Sequence, residues 1–170
     1  MALREAASEP APREIEVELT TQRAVTDALR PAAPDRGPMD EATVQKLCDS
    51  IRAAEADDVV VTLAGCGDPL LHPRVFEIAA ACREAGAIGV GLRTSGVTLD
   101  EAVLDAPAAS AVDLVEFELD AHSRDAYQRL KGVDAFEQVT ATMTRLLERD
   151  RRPLVVATMR GFSSSRSRCS

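Results

Sequence analysis

The chain has no tryptophan and one tyrosine, and aromatic residues make up 3% of the total. Any core it builds is therefore aliphatic. No run of about 18 apolar residues occurs, which excludes a helical membrane span by sequence. Basic residues are outnumbered, 20 Lys and Arg against 28 Asp and Glu, for a net charge of −8. That balance argues against non-specific binding to nucleic acid or to an anionic membrane. The start, MALREAASEPAPRE, has no apolar segment of signal-peptide type, so a cytoplasmic location is expected. The cysteines Cys48, Cys66, Cys82 and Cys169 form no C-x-x-C pair, and free thiols are expected. The two histidines, His72 and His122, are too far apart in sequence to suggest a metal pair. G-x-S-x-G, G-x-G-x-x-G and the phosphate-binding P-loop are all missing.

What is there is a regular alternation of strand and helix patterns, and 45% of the residues are apolar. Residues 1–13 are rich in Ala, Pro and Glu and read as a disordered N-terminus. EIEVELTT alternates Ile15, Val17 and Leu19 with glutamates, a strand pattern. After a Pro-rich loop, Val44, Leu47, Cys48 and Ile51 mark one face of a helix starting near Asp40. VVVTLAG (59–65) reads as a strand buried on both faces. A helix from Pro73 to Ala85, closed by Gly86, carries Cys82 on its apolar face. IGVGLRT is the third strand, and a short helix is expected over Leu99 to Leu104. AVDLVEFELD is the fourth strand.

Ser123 can cap a helix running to Lys131 and ended by Gly132. Asp134 and Glu137 resemble a capping box for a further helix, with Phe136, Val139, Met143, Leu146 and Leu147 on one side. PLVVATM is the fifth strand, and the polar tail 161–170 reads as disordered. Alternating strands and helices imply an α/β fold with parallel strands, either doubly wound or a barrel. The folded part spans 14–160. The last strand runs into the tail with no closing helix, so the chain reads as a fragment or as one that has lost its continuation.

Both architectures place binding groups at the carboxyl ends of the strands. There the sequence puts Arg23 after strand one; Gly65, Cys66, Gly67, Asp68 and Pro69 after strand two; and Thr94, Ser95 and Gly96 after strand three. Glu118 and Asp120 follow at strand four, and Arg160 at strand five. Gly65 and Gly67 allow close backbone approach to a ligand, and Asp68 can accept from an ammonium or hydroxyl. An ordinary strand-to-helix turn explains the same composition. Glu118 and Asp120, two residues apart, are expected on one strand face, where they could do acid–base work or simply line a solvated rim.

IEVELTT, then RGPMD, VVVTLAGCGDPLLHP, LRTSGVTL and DLVEFELDAHSRDAYQRLKG resemble, in order, the radical S-adenosylmethionine (SAM) superfamily. SPASM-type members are the most similar. The resemblance implies a partial (β/α) barrel with about five of its parallel strands visible here. It implies that Gly65–Pro69 match the family's G-G-E-P motif, which holds the SAM amino group, with Asp for Glu. Thr94, Ser95 and Gly96 match its T-N-G motif, and Glu118 with Asp120 its S-x-D, with Glu for Ser. Tyr127, Lys131 and Gly132 fit its later Y…R/K-G pattern. The family holds a [4Fe–4S] cluster with C-x-x-x-C-x-x-C after strand one. The matching positions here are Arg23, Asp27 and Arg30.

Three functions stay open at this point. The chain is a radical SAM-like pseudoenzyme with a degenerate iron–sulfur site that keeps SAM or small-molecule binding at the strand-end rim. Or it is a fragment of an active radical SAM enzyme with an unusual cluster site. Or it is a non-catalytic interaction module, with a protein partner or a missing C-terminal domain packed on it. Arg23 and Arg30 could hold an anion or form plain surface ion pairs.

Overall fold

The computed structural model describes residues 13–28, 33–54, 58–99, 105, 107–149 and 153–160. The alternating glutamate segment forms β1 (Glu14–Glu18). Helix α1 (Glu41–Ala53) starts where the Asp40 carboxylate accepts from the Thr43 N–H at 2.8 Å. Next come β2 (Val60–Ala64), a 3₁₀ turn at Pro69–Leu71, and α2 (Val75–Glu84). Strand β3 (Gly89–Thr94) leads through a 3₁₀ turn at Pro107–Ala111 into β4 (Leu114–Glu118). Helices α3 (Arg124–Lys131) and α4 (Phe136–Leu147) precede β5 (Leu154–Thr158).

All four strand pairings are parallel, in the order β1-β2-β3-β4-β5. That order separates the two expected architectures. Right-handed crossovers that always step in one direction put every helix on the same side of the sheet, as in a barrel wall. A doubly wound sheet would reverse direction part-way. The helix side is buried: Val61, Leu63, Val90, Leu92, Val115 and Phe117 are all 1% exposed or less. Cys48 and Cys82 sit in this core as the periodicity predicts. Burial pushes the Cys82 thiol up to about 12, helped by the neighbouring Cys48.

The opposite face differs from the expectation for β2. Val60 and Thr62 are only partly buried, so the run is not covered on both sides. The register puts Glu16, Thr62, Arg93 and Glu116 on this concave face. Arg93 spans it, donating Nε to Glu116 and Nη1 to Glu16, both at 2.9 Å. On β5, Leu154 and Val156 are 64% and 43% exposed.

Two helix expectations need correction. Asp134 does not cap α4; Ala135 occupies the N-cap without a side-chain bond. Both Asp134 oxygens instead accept from Arg124 on α3. A charged guanidinium fork is a stronger partner than a backbone amide. Leu147 is exposed, because Val139, Met143 and Leu146 already supply the buried stripe. The helix expected at 99–104 lies, beyond Leu99, outside the described residues, as do 1–12 and 161–170. Among the described residues no helix is long and apolar enough to cross a membrane.

Candidate functional site

The strand ends do converge, and the glycines explain how. A Cβ on Gly67 would lie 2.0 Å from the Thr20 carbonyl oxygen and 2.7 Å from that of Gln22. A Cβ on Gly65, where φ is +115°, would strike the Glu18 side chain. Close approach is thus required, and the approaching groups are Glu18 at the end of β1 and the loop that follows it. The contact is hydrogen-bonded throughout. Asp68 N–H donates to Gln22 O at 2.7 Å, and Cys66 N–H to Glu18 Oε2 at 2.6 Å. Arg23 Nε donates to Cys66 O at 2.8 Å. Glu18, unremarked in the sequence beyond its place in the β1 alternation, is thereby part of the site.

Asp68 is buried at the centre. Its carboxylate accepts from Ser95 Oγ at 2.7 Å, Thr94 Oγ1 at 2.9 Å, and the N–H groups of Ser95 and Leu70 at 3.1 Å. Four donors use the acceptor capacity of one carboxylate. Gly96 N–H closes the turn onto Thr94 Oγ1 at 3.0 Å. A Cβ on Gly96 would lie 2.6 Å from the Phe117 ring, which explains the glycine. Pro69 starts the 3₁₀ turn, and His72 follows it, with Nδ1 accepting from Arg74 N–H and Nε2 facing Met39 O, both at 3.1 Å. The GCGDP and TSG motifs therefore meet as expected, through one shared carboxylate.

Glu118 and Asp120 do not share a face. Glu118 lines the rim cleft with Arg23, Asp27, Gly65–Asp68, Arg93, Thr94, Ser95 and Lys131. Asp120 leaves the strand alternation at φ +55°, a left-handed conformation that Asp tolerates better than most residues. Its side chain is fully buried, where Lys131 Nζ donates to Oδ2 at 2.7 Å. Arg160 donates N–H and Nε to Oδ1 at 2.9 and 3.0 Å, and Nη2 to Oδ2. Burial pushes the Asp120 carboxyl up, but the bonds from Arg160 and Lys131 outweigh it and hold the group well below the usual carboxylate range. Arg160 Nη2 also reaches Asp27 Oδ2 at 2.7 Å, and Lys131 Nζ lies 3.7 Å from the same oxygen.

Asp27, Asp120, Lys131 and Arg160 thus form one network, with Lys131 only 1% exposed. Its closure across 133 positions had no sequence signal. Tyr127 packs beneath, its ring 5.8 Å from that of Phe136. Burial, with the charges of Asp68 and Asp120, pushes its hydroxyl up to about 12, and the hydroxyl has no hydrogen-bond partner among the described residues.

A sequence profile of the radical SAM superfamily matches residues 14–163. The chain belongs to the radical SAM superfamily. It is 33% identical over 103 residues to the GTP 3′,8-cyclase of Chlorobaculum tepidum, covering 55% of this chain and 31% of that protein. The chain thus spans less than a third of that curated relative. Among solved structures it is similar to BtrN in complex with AdoMet and 2-DOIA, with a TM-score of 0.57 at 20% identity, over 85% of this chain and 55% of that one. It is also similar to anSMEcpe with bound AdoMet and a Cp18Cys peptide, with a TM-score of 0.67 at 12% identity, over 86% and 43%. A third is Streptococcus suis SuiB bound to precursor peptide SuiA, with a TM-score of 0.61 at 16% identity, over 79% and 30%. At these identities the structural likeness establishes the fold.

Radical SAM proteins in general use SAM and a [4Fe–4S] cluster, so the rim can be tested against both. The narrow part of the cleft beside Cys66 leaves about 20 Å³, and it adjoins a wider cavity of about 550 Å³ that shares Arg23, Ala24, Val25 and Asp27. The GCGDP loop's Cys66 N–H and carbonyl and Asp68 N–H and carboxylate already have protein partners. Of the positions matching the cluster cysteines, Arg23 and Asp27 offer no thiolate, and Arg30 lies outside the described residues. A guanidinium is a fixed cation with no lone pair to give to iron. These positions do not fit the cluster.

Proposed function

We propose that this chain is a radical SAM-fold domain that assembles no [4Fe–4S] cluster and generates no radical from SAM: a pseudoenzyme domain on the superfamily's scaffold. One observation carries this reading. Where the resemblance places cluster thiolates, Asp27 is buried in an ion-paired network with Arg160 and Lys131, and Arg23 is bonded to the Cys66 carbonyl. A cluster of iron and sulfide needs soft anionic ligands converging on it. Here hard, oppositely charged groups neutralise one another. In place of an electron-accepting centre, the network ties the loop after β1 to the ends of β4, α3 and β5.

Anaerobic reconstitution with ferrous iron and sulfide tests the reading. Iron and acid-labile sulfide well below one per chain are expected after desalting, with no cluster absorption band. About four of each per chain would overturn it.

A further inference from the structure

We propose that the free edge of β5 pairs with the same edge of a second copy of this chain, antiparallel and about a two-fold axis through Val156. Strand β5 ends the sheet on one side and is bonded to β4 on the other. Leu154 N–H donates to Asp113 O, and Thr158 O accepts from Leu119 N–H, so residues 154, 156 and 158 direct their backbone groups at β4. Alternation turns the N–H and C=O of Val155 and Ala157 outward. Among the described residues nothing pairs with them.

This edge matches itself. When two β5 strands run antiparallel with Val156 opposite Val156, Val155 of each copy stands opposite Ala157 of the other. Both members of that pair face outward, so each pair exchanges both of its bonds. A one-residue slip in register would set an outward residue against an inward one and lose them. Val156 takes the closer, non-hydrogen-bonded position on the axis. The axis stands perpendicular to the sheet, so the exposed Leu154 and Val156 of both copies join in one apolar strip on the concave side. Pro153 has no N–H and ends the ladder.

The charge pattern points to a second copy as the occupant. The chain carries −8 overall, so two copies repel over most of their surface. LVVAT holds no charged residue and no proline, the usual guards of an edge strand. The opposite edge, β1, is guarded by Glu14, Glu16 and Glu18. Arg160, just beyond β5, is held by Asp27 and Asp120. The β5 edge is thus where like copies meet without like charges opposed. The contact is short, so a reversible dimer is expected, strengthened by salt that screens the remaining repulsion.

Sedimentation velocity of the whole chain over a range of concentrations is the test. Wild type is expected to pass from monomer to dimer as concentration rises, and to do so at lower concentration in higher salt. Val156→Lys and Val156→Glu each set like charges on the axis, and each is expected to weaken the dimer at least about tenfold. An equimolar mixture of the two is expected to dimerise again, since opposite charges then meet. Leu147→Lys, on the exposed side of α4, is expected to leave the dimer unchanged. Should a charged variant fail to fold by circular dichroism, Ala157→Pro takes its place. It removes an outward N–H, keeps the β4 ladder, and is expected to weaken the dimer likewise. Wild type that stays monomeric at every concentration and salt overturns the proposal. So does a mixture no more associated than its components, or a dimer untouched by Ala157→Pro, because either places the contact elsewhere.

Discussion

Asp68 shows how a residue can be legible in position while its partners are not. Its setting in GCGDP, after a buried strand, marks it as special. Its identity as an acceptor is likewise plain from the side chain. What the sequence does not contain is which donors reach it first. Thr94 and Ser95, at the end of the neighbouring strand, arrive with three donors, and the turn supplies Leu70 N–H. The carboxylate thus clamps β2 to β3, and a buried donor left without an acceptor costs about 1–3 kcal/mol. Asp68→Ala is therefore expected to cost about 3 kcal/mol in urea denaturation, because several donors lose their acceptor together. A variant as stable as wild type would show that Asp68 is held for a ligand and not for the strand ends.

Helices and strands were readable wherever a local rule decided them. Asp40 and Ser123 cap the helices they precede, and Gly132 closes α3 at φ +73°. The capping role expected of Asp134 failed because Arg124 reached it from the preceding helix. Glycines divide in the same way. Gly86 ends α2 at φ +117° with open space around it, a local matter that the sequence conveys. Gly67 is glycine because another segment's backbone lies where its side chain would be. Gly67→Ala is expected to cost more than about 3 kcal/mol, since the Thr20 and Gln22 carbonyls stand where the Cβ would be and the Gln22 carbonyl is held by the Asp68 N–H. Gly86→Ala carries only the left-handed backbone penalty of about 1–2 kcal/mol. Chemical denaturation of both variants checks the ranking, and equal losses would contradict it.

At the scale of the whole molecule, element order and parallel pairing followed from the alternation of patterns, whereas the closure of the rim did not. Asp27, Asp120, Lys131 and Arg160 lie on four segments, and only the curvature of the sheet brings them together. Each is an ordinary charged residue in its own sequence window. Their pairing makes overall stability depend on one carboxylate. The Asp120 carboxyl titrates below its unfolded value of about 3.9. Its contribution is then fully present above about pH 4 and is lost as pH falls through the lower folded value. Asp120→Asn strands Lys131 in a buried position and is expected to cost about 3–5 kcal/mol at pH 7. The gap between wild type and variant in urea unfolding is expected to hold from pH 7 to about pH 5 and to narrow below about pH 4, as the unfolded chain's carboxyl takes up a proton while the folded one stays ionised. A gap that stays constant into acid would mean that Asp120 stabilises the rim by shape and neutral hydrogen bonds. The four segments would then be held by something other than charge.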